Sequence, residues 1–460
     1  MTHPYIPNAE PGVRAEMLAA IGASGVEEFY ADIPADLRLD RPLDLPAPLV
    51  AERDLVRHMD GLLGRVTDTE QALSFLGHGC YPHHVPAVCD EVNSRSEFLT
   101  AYAGEPYEDH GRFQALFEYV SMMGELLEMD VVNVPTYDGF QAAGTALRMA
   151  CRYTKRSKVL VSGAISGDKA SKLRDFLAPD IEIVTAPVGE GGETEVESFD
   201  DSYAAIYLET PNVYGVVETR GRELADLAHA HGALLVVGAD PISLGVLAPP
   251  AAYGADIACG DIQSLGIHQN HGGGQAGYIA TQDHEPLVAE FPSRLFGIAP
   301  TKVPGEYGFG DVFYDRTSFA HREEGKEWVG TAAALWGITA GVYLALMGPQ
   351  GMRELGETIL ARTRYAMDAL AGAVTVLHRD AIHFREFAVE VPSSAALLAA
   401  LREQGIYGGV PLDDRTVLVC VTERHSIADI DRLAAAVADA VQNADAVKNA
   451  ADAVKNQETL

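Results

Sequence analysis

Two groups of histidines are the residues in this chain best suited to proton transfer. His83 and His84 lie in the segment 77–86, and His271 lies in the glycine-rich segment 267–274. An imidazole can donate or accept a proton near neutral pH. Neither group has the spacing of a zinc site, and no Cys-x-x-Cys pair is present. We therefore predict no metal site and take His83, His84 and His271 as candidate catalytic groups that contact a substrate.

Two polar residues lie shortly after predicted strands. Asp240 follows the most apolar of these strands, at the place where ligands of open α/β sheets bind. It could hold the ring nitrogen of a pyridine cofactor protonated, or it could simply cap the next turn. Asn212 could contact an oxygen of a cofactor or substrate, or it could form a turn with its neighbours Pro211 and Gly215. Asp240 and Asn212 are candidate cofactor-binding residues.

The segment Tyr137-Asp138-Gly139 opens a predicted helix over 139–156. The backbone N–H groups at the start of a helix can hold a phosphate, so these three residues are further candidates for cofactor binding. The alternative is that Asp138 is an ordinary N-cap, which is a common role for Asp.

The segment 256–274 contains no lysine. The large class of pyridoxal-phosphate (PLP) enzymes typified by aspartate aminotransferase carries its Schiff-base lysine after a strand, in the segment that corresponds to 256–274 here. The residue in register here is Leu265, and a leucine cannot form an imine with the cofactor aldehyde. A chain of this design without the amine is better suited to be one half of a shared active site than a complete catalyst.

Short apolar runs alternate with helical patterns through the middle of the chain. This alternation predicts a mostly parallel sheet that is covered by helices on both faces. The strands are predicted at 159–161, 181–184, 203–208, 233–238, 256–259 and 276–280. After about residue 325 the pattern changes to long helices, over 331–347 and 352–373, with two isolated strands at 385–391 and 416–421.

These patterns predict four parts of the chain. They are an N-terminal arm over 1–66, a large α/β domain over 67–325, a small α+β domain over 326–443 and a helical or disordered tail over 444–460. We assign no function to the tail, which repeats itself every seven residues.

Composition excludes several classes of partner. Asp and Glu total 66 against 34 Lys and Arg in 460 residues, for a net charge of −32. Such an acidic chain is a poor ligand for nucleic acids or anionic membranes. The five cysteines form no close pairs, as expected for reduced thiols in the cytoplasm. We identify neither a signal peptide nor an apolar run of membrane-spanning length, and we predict a soluble cytoplasmic protein.

Many short motifs together resemble one family over roughly residues 5–375, namely the N-terminal (α) subunit of the two-subunit glycine decarboxylase, the P-protein of the glycine cleavage system. The motifs that carry the resemblance, in chain order, are Tyr5-Ile6-Pro7-Asn8, Phe75-Leu76-Gly77, Tyr81-x-His83-x-Val85-Pro86, Phe117-Glu118-Tyr119, Tyr137-Asp138-Gly139, Pro211-Asn212-x-x-Gly215-Val216-Val217-Glu218, Asp240-Pro241-x-Ser243-Leu244-Gly245, Tyr253-Gly254-Ala255-Asp256-Ile257, Gln263-x-Leu265-Gly266-Ile267 and Gly348-Pro349-x-Gly351.

The resemblance implies a fold type I PLP-dependent transferase architecture. It implies an α2β2 assembly in which a β-type subunit carries the PLP lysine and the α subunit lacks it. The reaction of the family is decarboxylation of glycine on PLP, with transfer of the aminomethyl group to a lipoyl carrier protein. The chain departs from the usual family pattern at Gly260-Asp261-Ile262 and at Gly272-Gly273-Gly274. These departures indicate a divergent paralogue that acts on glycine or a related small amino acid.

Two alternatives stay open from the sequence. The chain could be a self-sufficient PLP lyase or transferase that uses another lysine, with Lys302 and Lys326 as candidates, although neither follows a predicted strand of the sheet. It could also be a non-catalytic subunit that only stabilises its partner.

Overall fold

The structure is a computed structural model, and it describes residues 5–68, 72–98, 112–326, 329 and 333–458, with side chains as far as residue 443. Contacts divide the chain into two units, Met1–Thr67 and Asp68–Leu460.

The first unit contains two helices, α1 (Pro11–Ala20) and α2 (Glu52–Leu63). None of its described residues is buried. The large apolar side chains of α2, among them Leu55 and Met59, are all more than one-third exposed. Within the described residues this unit therefore has no core of its own, and an assignment as an arm over 1–66 stays a prediction.

The second unit contains all the other strands and helices. Its strands, in chain order, are β1 (Leu73–Ser74), β2 (Val131–Val132), β3 (Lys158–Ser162), β4 (Glu182–Ala186), β5 (Ala205–Thr210), β6 (Leu234–Ala239), β7 (Ile257–Asp261), β8 (Gly277–Thr281), β9 (Leu295–Pro300), β10 (Tyr307–Val312), β11 (Thr375–Val376), β12 (Glu386–Glu390), β13 (Ile406–Tyr407), β14 (Val410–Pro411) and β15 (Thr416–Cys420). Its helices are α3 (Ala87–Asn93), α4 (Arg112–Leu127), α5 (Gly139–Thr154), α6 (Gly167–Leu177), α7 (Gly221–Ala230), α8 (Glu285–Val288), α9 (Ser318–His321), α10 (Ala334–Leu370), α11 (Ser394–Glu403) and α12 (Ile427–Glu458).

A seven-stranded sheet forms the centre of the second unit, in the order β2-β8-β7-β6-β5-β3-β4. Strands β4, β3, β5, β6 and β7 pair in parallel, whereas β8 is antiparallel to both β7 and β2. The six strands predicted from apolar runs coincide with β3 to β8. The predicted fold class, a large and mostly parallel α/β sheet, is confirmed.

Alternation of side chains along each strand explains how the sheet is covered on both faces. In β6, Leu235 and Val237 pack into one core cluster, while Leu234 and Val236 pack into the other. Successive residues of a strand point to opposite faces, so a continuous apolar run serves a sheet that is buried on both sides. Helices α4 and α10 line the first cluster, and α5 lines the second.

The C-terminal part carries a smaller sheet in the order β11-β12-β15-β14. The long helix α10 is interrupted at Gly348, whose φ is +59°, directly before Pro349. The sequence predicted two separate helices here. The helix breaks because Pro349 has no backbone N–H to donate to a carbonyl of the preceding turn. The predicted tail lies on α12 as far as Glu458. The domain boundary at 325/326 stays a prediction.

No helix in the described part of the chain is long and apolar enough to cross a membrane.

Candidate active site

Three carboxylates meet at the carboxyl edge of the large sheet. Glu209 lies near the end of β5, Asp240 follows β6, and Asp261 ends β7. They line a cavity of about 110 Å³. The other polar side chains that line it belong to Tyr81, Lys169, Gln263, Ser264 and Arg385.

A buried ion pair between Arg385 and Asp240 closes one side of this cavity. The Nη2 atom of Arg385 lies 2.8 Å from Oδ2 of Asp240, and the two side chains are 3% and 10% exposed. The guanidinium also lies over the ring of Tyr81, 3.2 Å from its centroid. Burial alone would lower the pKa of Arg385, but the negative charge of Asp240 raises it, so the side chain stays cationic. Arg385 has a φ of +63°, which is uncommon for a residue with a side chain.

His83 is held in one tautomer by its two neighbours. Its Nε2 lies 2.8 Å from Nη1 of Arg385, and its Nδ1 lies 2.7 Å from Oε2 of Glu423. Because a guanidinium only donates, Nε2 must accept and the proton must be on Nδ1, which donates to Glu423. Burial raises the pKa of Glu423, but the hydrogen bonds from His83 and from the backbone N–H of His84 outweigh it and hold this pKa below its usual value. His83 is therefore a neutral link between two ions.

The loop before α3 is fixed by Tyr81. Its hydroxyl donates to Oε2 of Glu386 at 3.0 Å, and its backbone N–H donates to Oε1 of Gln263 at 2.9 Å. The backbone N–H of His78 donates to the other oxygen of Glu386 at 2.6 Å. The loop that carries the first histidine group is thereby tied both to β12 and to the segment after β7.

Lys169 is the one lysine that lines this cavity in the described part of the chain. Its Nζ forms an ion pair with Glu209, which also accepts from the hydroxyl of Tyr207 at 2.7 Å. Burial alone would lower the pKa of Lys169, but the charge and the hydrogen bond of Glu209 raise it. The amine is therefore held protonated, and a protonated amine is not a nucleophile.

Asp261 occupies the start of α5. Its Oδ2 accepts from the backbone N–H of Gly139 at 2.8 Å, and its Oδ1 accepts from the N–H groups of Gln263 at 2.8 Å and of Ala276 at 3.4 Å. Burial raises the pKa of this carboxyl to about 7, even though the three hydrogen bonds lower it. A carboxylate thus lies at the helix start where a phosphate was predicted to bind.

The residues of this cavity do not fit PLP. Its volume is well below the roughly 300–1,000 Å³ of small-molecule sites. The start of α5 is already bonded to Asp261, and Asp240 is paired with Arg385. Leu265 is fully buried and is not among the residues that line the cavity. No lining residue offers a free amine.

Of the candidate cofactor-binding residues, only Asp240 lines the cavity. Asp138 caps α5 by accepting from the N–H of Gln141 at 2.7 Å, and Tyr137 is half-exposed. The side chain of Asn212 donates to the backbone oxygen of Gly192 at 2.7 Å and accepts from two N–H groups of its own turn. Asp138 is therefore a helix cap and Asn212 a turn residue, which are the alternatives that the sequence left open for them.

The three candidate histidines lie in different surroundings. His83 is buried beside the cavity, between Arg385 and Glu423. The side chain of His84 is exposed, and only its backbone N–H contacts Glu423, at 2.6 Å. His271 is exposed and has a φ of +57°. The loops of His84 and His271 touch, because Nε2 of Gln275 donates to the backbone oxygen of Gly79 at 3.2 Å.

Most of the charged residues of the site were not predicted from the sequence. Glu209 and Asp261 could have been found by the rule that selected Asp240, since each lies one or two residues beyond a predicted strand. Arg385 and Lys169 carried no such signal, because they reach the cavity from a distant segment and from a helix.

Comparison with known proteins decides the family. The model of the glycine cleavage system P-protein family matches residues 3–437. This chain belongs to that family. The prediction of the family from short motifs is confirmed. Membership in this family supports PLP as the cofactor of the enzyme.

Relatives of this chain include two proteins that are named probable glycine dehydrogenase (decarboxylating) subunit 1. The one from Chlorobium limicola is 37% identical and covers 95% of this chain and 99% of its own length. The one from Sulfurisphaera tokodaii is 35% identical, with 94% and 97% covered. The designation as subunit 1 implies that these relatives have a second subunit.

Two solved structures are similar to this P-protein family member. A crystal structure of glycine decarboxylase (P-protein) in an inhibitor-bound form has a TM-score of 0.85 and 34% identity, and the match covers 95% of this chain and 100% of that one. Sphingosine-1-phosphate lyase from Burkholderia pseudomallei has a TM-score of 0.65 at 13% identity, with 94% and 98% covered. The second likeness shows the fold alone.

The contacts of His83 predict a difference between two neighbouring substitutions. His83→Ala removes one hydrogen bond from the buried Arg385 and one from Glu423, and we expect it to cost about 2–3 kcal/mol of unfolding free energy. His84→Ala keeps the backbone N–H that Glu423 uses, so we expect a change within about 0.5 kcal/mol. Denaturant unfolding measures both. Equal effects of the two substitutions would contradict the role assigned to His83.

The raised pKa of Asp261 predicts how stability depends on pH. The folded chain keeps this proton up to about pH 7, whereas an unfolded Asp loses it near its usual pKa of about 4. The unfolding free energy of the native protein should therefore fall, relative to that of D261N, as the pH rises from about 4 to 7. Above that range the difference should become constant.

Denaturant unfolding across this range measures the difference. D130N is a matched control, because Asp130 likewise accepts a backbone N–H, that of Asp283 at 3.0 Å, outside this cavity. A difference between the native protein and D261N that does not vary with pH would show that Asp261 has no raised pKa.

Proposed function

We propose that this chain is the lysine-free first subunit of a two-subunit, PLP-dependent glycine dehydrogenase (decarboxylating). The observation that carries the proposal is a cavity at the carboxyl edge of the large sheet. In it, Arg385 is paired with Asp240, Lys169 is paired with Glu209, and Asp261 accepts hydrogen bonds from backbone N–H groups. Among the described residues, such a cavity has no unpaired charged side chain for a cofactor, which is expected if the reactive lysine belongs to another subunit.

We place PLP on that second, lysine-bearing subunit and expect the active site to be shared. The substrate is then glycine or a related small amino acid, and a lipoyl carrier protein is the expected acceptor of the aminomethyl group. These assignments follow the names of the relatives and the resemblance of the motifs. An α2β2 assembly is the corresponding subunit arrangement.

Exposed apolar residues of the first unit support a protein partner. Side chains such as those of Ile21, Leu37, Leu45 and Leu63 are each more than three-fifths exposed. Soluble proteins rarely leave so much apolar surface in water unless another surface covers it. We propose that the second subunit covers it, because the relatives are named as one of two subunits.

His84 and His271 are the residues that we propose for contact with substrate in the shared site. Both rings are exposed, and they lie on the two loops that touch beside the cavity. A histidine with access to a neighbouring site can move a proton near neutral pH. His83 does not contact substrate in this proposal. It orients the loop that carries His84, through its hydrogen bonds with Glu423 and Arg385.

No observation favours a self-sufficient PLP enzyme. Lys302 lies in the turn between β9 and β10, and both it and Lys326 are exposed and outside the lining of the cavity. Lys169 does line it, but its amine is held protonated by Glu209. A purely stabilising subunit is the remaining alternative, and activity measurements on the complex separate it from a catalytic one.

The location that we propose is the cytoplasm. All five cysteines are free thiols, and four of them are buried. Free thiols are the usual state in a reducing compartment.

The test is glycine-dependent exchange of carbon dioxide by the purified two-subunit complex and by each subunit alone. We expect activity only from the complex. Within an intact complex, His84→Ala and His271→Ala should each lower the turnover by about 100-fold if the ring transfers a proton.

His284→Ala is the matched control, because this exposed histidine precedes α8 at the opposite edge of the sheet. If both His84→Ala and His271→Ala kept full activity, this chain would be a stabilising subunit without a catalytic role. Activity of this chain without its partner would contradict the proposed function.

A further inference from the structure

The start of α5 has the features of a site for an anion. The helix runs for 16 residues from Gly139 and begins at the carboxyl edge of the large sheet, beside the end of β7. The unpaired N–H groups and the dipole of a helix of this length favour a negative charge at its N-terminus. A phosphate is the common external ligand of such a helix start.

In this chain the anion at the helix start is the side chain of Asp261. Three backbone N–H groups, from Gly139, Gln263 and Ala276, converge on its two oxygens at 2.8, 2.8 and 3.4 Å. These three N–H groups belong to three different segments of the chain. No basic side chain takes part in these bonds, so the carboxylate is held by backbone groups alone.

The surroundings of Asp261 oppose a second anion. The carboxylate of Asp138 caps the same helix through Gln141, and Glu209 and Asp240 line the same cavity. The cations of the cavity are paired, Lys169 with Glu209 and Arg385 with Asp240. A phosphate that entered would meet like charges without a free cation, which costs free energy in a buried place.

Space at the helix start is also taken. A Cβ atom placed on Gly139 would lie 3.1 Å from Cβ of Asp261 and 3.3 Å from its backbone nitrogen. The carboxylate therefore sits against the helix start in contact, without room for the larger phosphate group between them. Removing the side chain of Asp261 would expose the N–H groups that it now occupies.

We infer that Asp261 is the residue that excludes phosphate-bearing ligands from this chain's own cavity, by serving as an internal anion at the start of α5. The class of ligand that it excludes is a phosphate monoester, of which PLP is one. The inference concerns this chain alone and does not depend on which reaction the proposed two-subunit enzyme catalyses.

The test is calorimetric titration of the purified full chain with inorganic phosphate and, separately, with PLP at pH 7.5. Asp261→Ala vacates the helix start, and we expect it to bind phosphate at least about tenfold more tightly than the native chain. Asp261→Asn removes the charge but keeps the side chain in place, so its gain should be clearly smaller. Asp261→Ser serves in place of the alanine variant if that variant does not fold, as judged by circular dichroism.

Asp256→Ala is the matched control, because it removes one carboxylate that accepts a backbone N–H far from the cavity. We expect no gain in phosphate binding from it. The inference is overturned if a folded alanine or serine variant gains nothing, or if Asp261→Asn gains as much as Asp261→Ala. The second result would show that charge alone, and not occupancy of the helix start, excludes the ligand.

Discussion

The buried ion pair between Arg385 and Asp240 is the interaction on which the rest of the site depends. It connects the residue before β12 to the carboxyl end of β6 in the large sheet. A buried guanidinium is stable only if its donors are satisfied, and losing one partner of such a pair typically costs about 3–5 kcal/mol. The ring of Tyr81 and the Nε2 atom of His83 complete the surroundings of this cation. The uncommon backbone conformation of Arg385 is maintained by these contacts together.

The same constraint explains why the cavity differs from a PLP site. In a site that holds PLP, an Asp after this strand pairs with the cofactor ring, but here Asp240 pairs with a side chain of the same protein. Lys169 is neutralised by Glu209, and the helix start is occupied by Asp261. Each group that could receive part of the cofactor has an internal partner. A fold type I subunit with this arrangement leaves no charged side chain of the cavity unpaired, and the chemistry that we propose requires a second subunit.

The fold could be predicted from the sequence because its signals are local. The run Leu234–Ala239 is continuously apolar because both faces of β6 are buried, and the break in α10 follows from Pro349. The polar residues near strand ends were only partly found. Asp240, a candidate cofactor-binding residue, lines the cavity, but Glu209 and Asp261 also lie close to the ends of predicted strands and were passed over. Arg385 could not be found, because its role arises from packing between segments that are far apart in the chain.

The sequence shows that the segment 256–274 contains no lysine. It does not show how the other charged groups of the cavity are paired. Only the folded structure shows that the remaining lysine of the cavity is paired and that the helix start is filled. The most direct test of this account is borohydride reduction of the two-subunit complex in the presence of PLP, followed by intact mass measurement of each subunit. The account predicts a stoichiometric pyridoxyl adduct on the partner and none on this chain. A stoichiometric adduct on this chain, at Lys169 or at any other lysine, would contradict it.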